Sequence, residues 1–491
     1  MVEVKKKILV STVMDETRVA VFENDKLVEF YIDNETTRGF VGNIYKGKVV
    51  NVLVSLQSAF INIGVGKNVY LSSNDTVDTV TGFFGQKKRI TSHRIENRMP
   101  KNKEVVVQVT KDPISEKGAK VSEKISLPGR YVVYMPTEER NVYVSQRIMN
   151  NAERKRLKEI VEPILPDCGT IIIRTEGEGQ GLKDFKDDLR YLTRVWKTIQ
   201  ARAGNAPAPS VLYKNVDIVL QVLRDTPSSQ IENVLVDDDK QYENVIDYVS
   251  HFDDELKGRV RLYNEHKPLF EMFEVNKEIA ALANPYVKLK SGGYLIIQQT
   301  ESLCAIDVNS GSSRGKGTGL PEDTALVTNI EAAEEIARQI RLRNHGGIIV
   351  IDFIDLRKRE NRNTVYHKLE NALKNDKAKL DILPFNSLGL IEIARQRKRE
   401  SNTSMVTEEC RHCSGAGRVL SKSEMFTKVM EDIVNVVRRR GHGVKVEITV
   451  ALDLFEYFKS RLPELEKYTK AEVKIMNEPA IVWHDYRIMI N

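Results

Sequence analysis

The most informative features of this sequence are two apolar stretches, LCAIDVN at residues 303–309 and IIVIDFI at residues 348–354. Runs of this length that are rich in β-branched residues are typical of buried strands. Each run carries one aspartate, Asp307 in the first and Asp352 in the second. A carboxylate inside a buried strand is costly unless it is paired, hydrogen-bonded or bound to metal, so we expect both to have a specific partner.

The segment between the two runs predicts one helix over residues 321–343. It opens at Pro321, carries apolar residues at helical spacing, and ends at the sequence NHGG, residues 344–347. A strand–helix–strand unit can return its second strand beside the first, in parallel. Asp307 and Asp352 are therefore predicted at comparable heights in one sheet.

Asn309 and Asp355 add polar side chains beside the two aspartates. Hard oxygen ligands of this kind suit Mg²⁺ better than Zn²⁺. The alternative is that each aspartate caps a loop or pairs with an arginine. The residue pattern alone leaves both interpretations open.

Composition and charge describe an ordinary globular chain of several domains. It has 491 residues, 41% of them hydrophobic and 29% charged, with a net charge of +6. Without a bilayer-length apolar stretch or a signal peptide, we expect no membrane span and a cytoplasmic location. Basic residues cluster at residues 81–103, 395–399 and 438–440. Such clusters suit a nucleic acid, although a solvated surface is the common alternative.

The first part of the chain is rich in strand signals. Residues 7–32 alternate like antiparallel hairpins, and from Gly42 short strands punctuated by glycine suggest a small OB-type barrel. Phe60 and Tyr70 are predicted either to stack bases or to fill the barrel core, and the pattern alone favours the core. Further along, Arg174 and Thr175 end an apolar run, where they can bind a phosphate or have a structural role.

Cys410 and Cys413 stand in the sequence CRHCSGAG, which is typical of half a zinc knuckle. A structural zinc needs four ligands, and the chain has no second Cys-x-x-Cys motif. The simplest completion is a second chain that supplies two more thiolates, giving a zinc shared across a homodimer. A redox dithiol and two idle cysteines are the alternatives.

Taken together, these residues resemble the ribonuclease E/G family of bacterial endoribonucleases. The motifs that carry the resemblance are IYKGKV at 44–49, IDVNS at 306–310, EAAEEIARQIRLRNHGGIIVIDFIDL at 331–356, and CRHCSGAG at 410–417. The resemblance runs from the first strands to the cysteine pair and is weaker in the tail. In length the chain is similar to members that lack a long disordered C-terminal extension.

The resemblance implies a multidomain α/β fold. An RNase H-like subdomain would be interrupted by an OB-fold barrel and a 5′-sensor domain, and followed by a DNase I-like catalytic domain, a zinc link and a small α/β dimerisation domain. The implied bounds are 1–39 and 216–282 for the RNase H-like parts, 40–124 for the OB fold, 125–215 for the 5′ sensor, 283–404 for the catalytic domain, 405–418 for the zinc link and 419–491 for the dimerisation domain.

The resemblance also assigns site residues. Asp307 and Asp352 would hold a catalytic Mg²⁺ with support from Asn309, and Cys410 and Cys413 would hold the structural Zn²⁺ shared between chains. The implied RNA-binding residues are Phe60, Tyr70 and Lys117. The implied 5′-phosphate-binding residues are Gly129, Val133, Arg174, Thr175 and Lys379. Lys379 stands where the family has an arginine, and a point charge orients a phosphate less sharply than a planar fork.

The implied activity is a Mg²⁺-dependent, single-strand-specific endoribonuclease of RNA processing and decay, acting in rRNA maturation and mRNA turnover. It would be stimulated by a 5′-monophosphate and leave 5′-phosphate and 3′-hydroxyl ends. The implied partners are single-stranded RNA (rRNA precursors and mRNA) and a second copy of the chain, joined through the zinc link, with a higher oligomer as a further option. The rival interpretations are a non-catalytic RNA-binding or ribosome-assembly factor and a DNA nuclease that uses the same metal.

Overall fold

The computed structural model describes residues 4–34, 39–77, 79–81, 87–89, 94–112, 118–250, 254–311, 321–397, 399–440 and 444–490. The chain divides into two compact units, Met1–Val406 and Thr407–Asn491. The division falls within the predicted zinc link. Among the described helices, none combines the length and the apolar character that crossing a bilayer requires.

Three antiparallel strands open the chain and join two later strands in a five-stranded sheet. In sheet order they are Val260–Leu262, Ile231–Val236, Lys6–Val13, Glu16–Glu23 and Lys26–Asp33. The turn before the last strand is made by Asn24 and Asp25, whose φ angles of 48° and 63° are those of a type I′ hairpin turn. The helices of this region are Ile218–Arg224, Asp239–Ser250, Asp254–Lys257, Leu269–Met272 and Val275–Ala281. The hairpins predicted for residues 7–32 are confirmed.

A closed barrel follows the opening strands. Its strands in order are Ile44–Leu53, Ser58–Asn62, Val69–Ser72, Lys120–Ser122 and Glu104–Lys111, and the last pairs with the first. The strand Ser210–Tyr213 extends this sheet at Ile44–Leu53. The order 1-2-3-5-4-1 and the closure give the OB-like barrel that the sequence predicted.

The basic segment at residues 81–103 is described in part. It contributes to the short hairpin Thr79–Thr81 and Lys87–Arg89 and contains the helix Ile95–Arg98. Arg98 is 4% exposed and donates to the hydroxyl of Thr76. Arg395, in the second cluster, is also buried and pairs with Asp376 at 2.7 Å. These two arginines therefore do not contribute to the predicted surface patches.

A four-stranded sheet with two helices follows the barrel. The strands in sheet order are Leu127–Pro128, Val132–Met135, Thr170–Ile173 and Asn141–Val144, and the helices are Asn151–Val161 and Leu182–Asn205. The apolar sides of both helices pack on this sheet in one core.

The two stretches that open the sequence analysis lie at the centre of a six-stranded sheet. In order its strands are Tyr286–Lys288, Tyr294–Gln299, Leu303–Asn309, Gly347–Asp352, Leu390–Arg395 and Leu380–Ile382. The helices Pro321–Leu342 and Arg359–Leu373 cover one face and share its core. The helix and the parallel return of the second strand are confirmed.

One prediction about this sheet is wrong. The continuous apolar runs predicted buried strands, but side chains alternate between the covered face and an open face. Ile306 and Ile351 lie in the core, whereas Ile348 is 56% exposed. The reason is that both helices pack on the same side of the sheet, so the β-branched residues of the other side remain in contact with solvent.

The unit Thr407–Asn491 has its own core. The helix Lys422–Arg440 and the helices Leu452–Ser460 and Leu462–Thr469 pack on a three-stranded sheet. Its strands in order are Glu472–Asn477, Lys445–Val450 and Tyr486–Ile490. This is the small α/β unit that the sequence predicted after the cysteine pair.

Candidate active site

Asp307 and Asp352 are direct partners in the parallel pairing of their strands. Neighbouring strands lie about 4.8 Å apart, and both side chains stand on the open face of the sheet, where both are exposed. The predicted equal height is therefore confirmed. The predicted burial is not, because both carboxylates are exposed; partial desolvation of Asp352 and the neighbouring like charges are what favour a partner.

The electrostatics of this pair favour a nearby positive charge. Partial burial, the charge of Asp307 and the charge of Asp355 together raise the pKa of Asp352. A bound cation would relieve the repulsion among these carboxylates. Asn309 donates its side-chain amide to Oδ2 of Asp307 at 2.8 Å, which orients that carboxylate.

The donor set can be tested against the two metals that the sequence suggested. Within the described part of the chain, no three His, Cys, Asp or Glu side chains are grouped for a metal. Mg²⁺ is commonly held by one or two carboxylates and completes its shell with water and substrate phosphate, whereas a structural zinc needs four protein ligands. The open pair Asp307 and Asp352 therefore fits Mg²⁺.

Asn329 fixes the backbone that follows Asp352, and the sequence analysis missed it. It is fully buried in the helix Pro321–Leu342. Its amide donates to the carbonyl of Ile354 at 2.8 Å and accepts from the N–H of Ile354 at 3.0 Å. A polar residue on the apolar side of a predicted helix was the signal that could have identified it.

A buried charge cluster anchors the same helix to the N-terminal sheet. Arg341 donates to Glu29 at 2.9 Å and to Glu23 at 2.7 Å and 3.0 Å, and Lys377 donates to Glu29 at 3.1 Å. Burial alone would raise the pKa of Glu29, but Lys377 and Arg341 hold it well below its usual range. The helix that connects the two aspartate strands is thus tied to strands more than three hundred positions away in sequence.

Phe60 and Tyr70 lie on the outer surface of the barrel. They are register partners on neighbouring strands, and their ring centroids are 6.1 Å apart with a T-shaped orientation. Ala59 and Ile61 fill the core, so the rings alternate outward and are half-buried. The pattern-based preference for core positions is therefore wrong. Lys117, the third predicted RNA-binding residue, lies outside the described residues.

Three of the five predicted 5′-phosphate residues are brought together. Arg174 donates to the carbonyl of Gly129 at 2.7 Å, and Thr175 follows it directly, with its hydroxyl 3.4 Å from that of Ser145. A Cβ at Gly129 would collide with the carboxylate of Asp188, so glycine is required there.

Of the other two predicted 5′-phosphate-binding residues, one lies in the same four-stranded sheet and the other at the edge of the six-stranded sheet. Val133 is half-buried on the neighbouring strand, where it pairs with Ile172. Lys379 is exposed at the edge of the six-stranded sheet that carries Asp307 and Asp352. Its carbonyl accepts from the N–H of Gln396. The adjacent carbonyl of Ala378 accepts from Arg147 at 3.2 Å, which connects this edge to the four-stranded sheet.

The guanidinium of Arg174 already has carboxylate partners that the sequence did not reveal. Asp225 accepts from it at 2.7 Å, and Glu176 lies 3.3 Å away. Although burial opposes it, Arg224 and Arg174 hold the pKa of Asp225 well below its usual range. A phosphate that binds Arg174 therefore competes with Asp225.

Cys410 and Cys413 lie in a tight turn of the C-terminal unit. The N–H of Ser414 donates to the carbonyl of Cys410, and Gly415 takes a φ of 79° that favours glycine. Backbone N–H groups of His412 and Cys413 lower the pKa of the exposed Cys410 thiol. Both features are typical of a metal-binding knuckle.

Comparison with known proteins shows the family of the chain. The sequence profile of the Ribonuclease E/G family matches residues 126–398. Ribonuclease G of Salmonella typhimurium (strain SL1344) is 38% identical over 96% of this chain and 97% of that protein. Ribonuclease G of Haemophilus influenzae is 36% identical over 96% of both, and ribonuclease E of Nostoc sp. is 36% identical over 82% of this chain and 57% of that protein. The matched region contains both aspartate strands, and the chain belongs to the ribonuclease E/G family.

Proposed function

We propose that this endoribonuclease of RNA processing and decay cuts single-stranded RNA with Mg²⁺ held by Asp307 and Asp352. The observation that carries the proposal is their direct pairing on the open face of the sheet. An open carboxylate pair leaves room for a polyanionic substrate to approach the metal.

The roles of the side chains follow from their contacts. Asp307 and Asp352 would hold the ion, and Asn309 would keep the Asp307 carboxylate in a binding orientation through its 2.8 Å hydrogen bond. When bound, Mg²⁺ supplies polarisation of the scissile phosphate and a water of lowered pKa. Hydrolysis with release of the 3′ oxygen leaves 5′-phosphate and 3′-hydroxyl ends.

Binding of the RNA strand is assigned to the barrel and the four-stranded sheet. Phe60 and Tyr70 present partly exposed rings on which bases can stack. We further propose that a 5′-monophosphate stimulates the reaction by binding at Arg174 and Thr175 in competition with Asp225. Zinc-linked dimers through Cys410 and Cys413, and a cytoplasmic location, stay predictions.

The proposal is tested by cleavage of RNA oligomers with and without Mg²⁺. Asp307→Asn is expected to lower kcat by at least about 10²-fold while RNA affinity changes little, because Asn has the same shape but is a weaker ligand for Mg²⁺. The matched control is Asp381→Asn, since Asp381 is also exposed on a strand of this sheet but pairs at its edge.

Each result separates the interpretations. Cleavage by wild type that is lost in Asp307→Asn and kept in Asp381→Asn supports the proposal. RNA binding without Mg²⁺-dependent cleavage by wild type supports a non-catalytic RNA-binding factor. Competition with DNA oligomers of the same sequence distinguishes a ribonuclease from a DNA nuclease.

A further inference from the structure

Two tyrosines share the open sheet face with the aspartate pair. Tyr286 is 58% exposed and Tyr294 is partly exposed. Their ring centroids are 6.2 Å apart, with an angle of 48° between the ring planes. Neither ring is needed for the core, because Val287 and Leu295 from the same strands face the helices and fill it.

The strand register places Tyr286 in the same row as the two carboxylates. Tyr286 pairs with Ile296, which pairs with Asp307, which pairs with Asp352. These four residues form one row across the sheet, with successive strands about 4.8 Å apart. Tyr286 therefore lies two strands from Asp307 on the same face.

Tyr294 belongs to the next row. It is the direct partner of Asn309 on one side and of Lys288 on the other. A diagonal cross-strand neighbour such as Asp307 lies about 7–8 Å away. The exposed ammonium of Lys288 adds a positive charge to this row, which suits a phosphate on the strand that approaches the acidic pair.

The turn between the two tyrosine strands brings their backbone close to Asn309. Gly292 takes a φ of 93° in the turn that joins the two tyrosine strands. A Cβ at Gly293 would lie 2.7 Å from the carbonyl of Asn309, so glycine permits this close approach. The tyrosine strands are thus held directly against the residue that orients Asp307.

We propose that Tyr286 and Tyr294 form a stacking platform for the base of a nucleotide next to the cleaved phosphate. The inference rests on the proposed function, since the occupant is single-stranded RNA whose phosphate lies at Asp307 and Asp352. Aromatic faces stack any base without reading sequence, and the neighbouring lysine favours the backbone that carries it. The platform positions the substrate and contributes no ligand to the metal.

The test is a cycle between protein and substrate. Tyr286→Ala and Tyr294→Ala are assayed on an RNA oligomer and on matched oligomers that lack one base, at each position flanking the cleaved bond. On the intact oligomer, we expect kcat/KM to fall by about 5- to 100-fold, the range for losing one stacked base. On the oligomer that lacks the stacked base, the alanine variants should match wild type within about 2-fold, since the contact is already absent.

Two sets of variants control for structural effects. Tyr286→Phe and Tyr294→Phe should keep nearly full activity, because stacking needs the ring and not the hydroxyl. Tyr468→Ala removes a tyrosine of the C-terminal unit that is 63% exposed, and it should leave kcat/KM unchanged. Alanine variants equal to wild type on the intact oligomer, or losses equal on every oligomer, would overturn the inference.

A second measurement keeps the inference independent of catalysis. Asp307→Asn is mixed with RNA that carries 2-aminopurine at the same flanking positions. Stacking is supported if the Asp307→Asn protein quenches the probe and the double variant Asp307→Asn, Tyr294→Ala does not. This result would hold even if wild type cleaved no RNA and the proposed function failed. Equal fluorescence with the single and the double variant would contradict the stacking inference.

Discussion

Asp307 and Asp352 are direct partners across two parallel strands, and both carboxylates are exposed on the same face. Partial burial of Asp352 and like charges at this separation oppose folding of the metal-free protein, which is consistent with the raised pKa of Asp352. Asp355 adds to the effect. The site is thus a local cost to stability that the proposed divalent cation would reduce.

Asp352→Asn should make the metal-free protein slightly more stable. A carboxyl whose pKa is raised in the folded state destabilises it above that pKa, and the cost disappears as the group is protonated on acidification. We expect Tm in EDTA at pH 8 to rise by about 1–3 °C, and the difference to shrink as the pH falls through the raised pKa towards the ordinary carboxyl value. Mg²⁺ should raise Tm of wild type more than that of the variant.

Differential scanning fluorimetry in EDTA and in Mg²⁺ checks this, with Asp381→Asn as the matched control. Two outcomes would show that the carboxylate is not a metal ligand held at an electrostatic cost. One is a Tm of Asp352→Asn below that of wild type in EDTA, and the other is an equal rise in Tm of both proteins on adding Mg²⁺.

Arg174→Ala should lower cleavage of 5′-monophosphorylated RNA more than cleavage of 5′-hydroxyl RNA. Loss of charge-assisted hydrogen bonds to a phosphate corresponds to roughly ten- to hundred-fold in kcat/KM. Lys379→Ala should act in the same direction with a smaller effect, because Lys379 is an exposed point charge. Arg140→Ala, an exposed arginine near the same sheet, is the matched control.

Asp225→Asn should act in the opposite direction to Arg174→Ala. Asp225 accepts from Arg174 at 2.7 Å and would have to release it to a phosphate. Weakening this ion pair should increase the ratio of kcat/KM for 5′-phosphate over 5′-hydroxyl oligomers. A wild-type ratio near one, or equal ratios in all three proteins, would mean that Arg174 has only a structural role.

Glu29→Gln should destabilise the larger unit strongly. Glu29 is the shared acceptor of Arg341 and Lys377, and its side chain is 8% exposed. Removing one partner of a buried ion pair leaves uncompensated charge and costs about 3–5 kcal/mol. Burial and the two cations act on its pKa in opposite directions, with a net lowering, so the stabilisation is present at neutral pH and is lost progressively as the pH falls from the usual carboxyl range through the lowered pKa.

Urea unfolding at pH 7 measures this effect. The matched control is Glu159→Gln, since Glu159 is 64% exposed and lies 3.9 Å from Lys155. An exposed pair of this kind contributes less than about 1 kcal/mol. Equal effects of the two substitutions would mean that the buried cluster does not hold the helix Pro321–Leu342 in place.

Cys410→Ser combined with Cys413→Ser should release zinc and reduce the size of the assembly. One chain supplies two thiolates, so a shared tetrahedral site binds half an equivalent of zinc per chain. Metal analysis and light scattering measure both quantities, and Cys168→Ser, at a free cysteine of the larger unit, is the control. One full equivalent of zinc in a monomer would contradict the shared site.

Local pattern in the sequence determined the elements of the candidate site. The apolar runs at 303–309 and 348–354 became parallel strands, and the helix between them is Pro321–Leu342. Because a right-handed strand–helix–strand unit has few solutions, the equal height of Asp307 and Asp352 followed from these elements alone. The barrel could also be predicted from local pattern, because its strands are short, regular and close in sequence.

Which surfaces are open and which charges are paired depends on tertiary packing. Apolar runs predict that strands form but cannot say that both helices cover the same face, so the exposure of Asp352 was unexpected. Arg174 meets Asp225 across 51 positions, and Arg341 meets Glu29 across 312. Periodicity carries no information at such separations, because these contacts depend on how whole sheets and helices pack against one another.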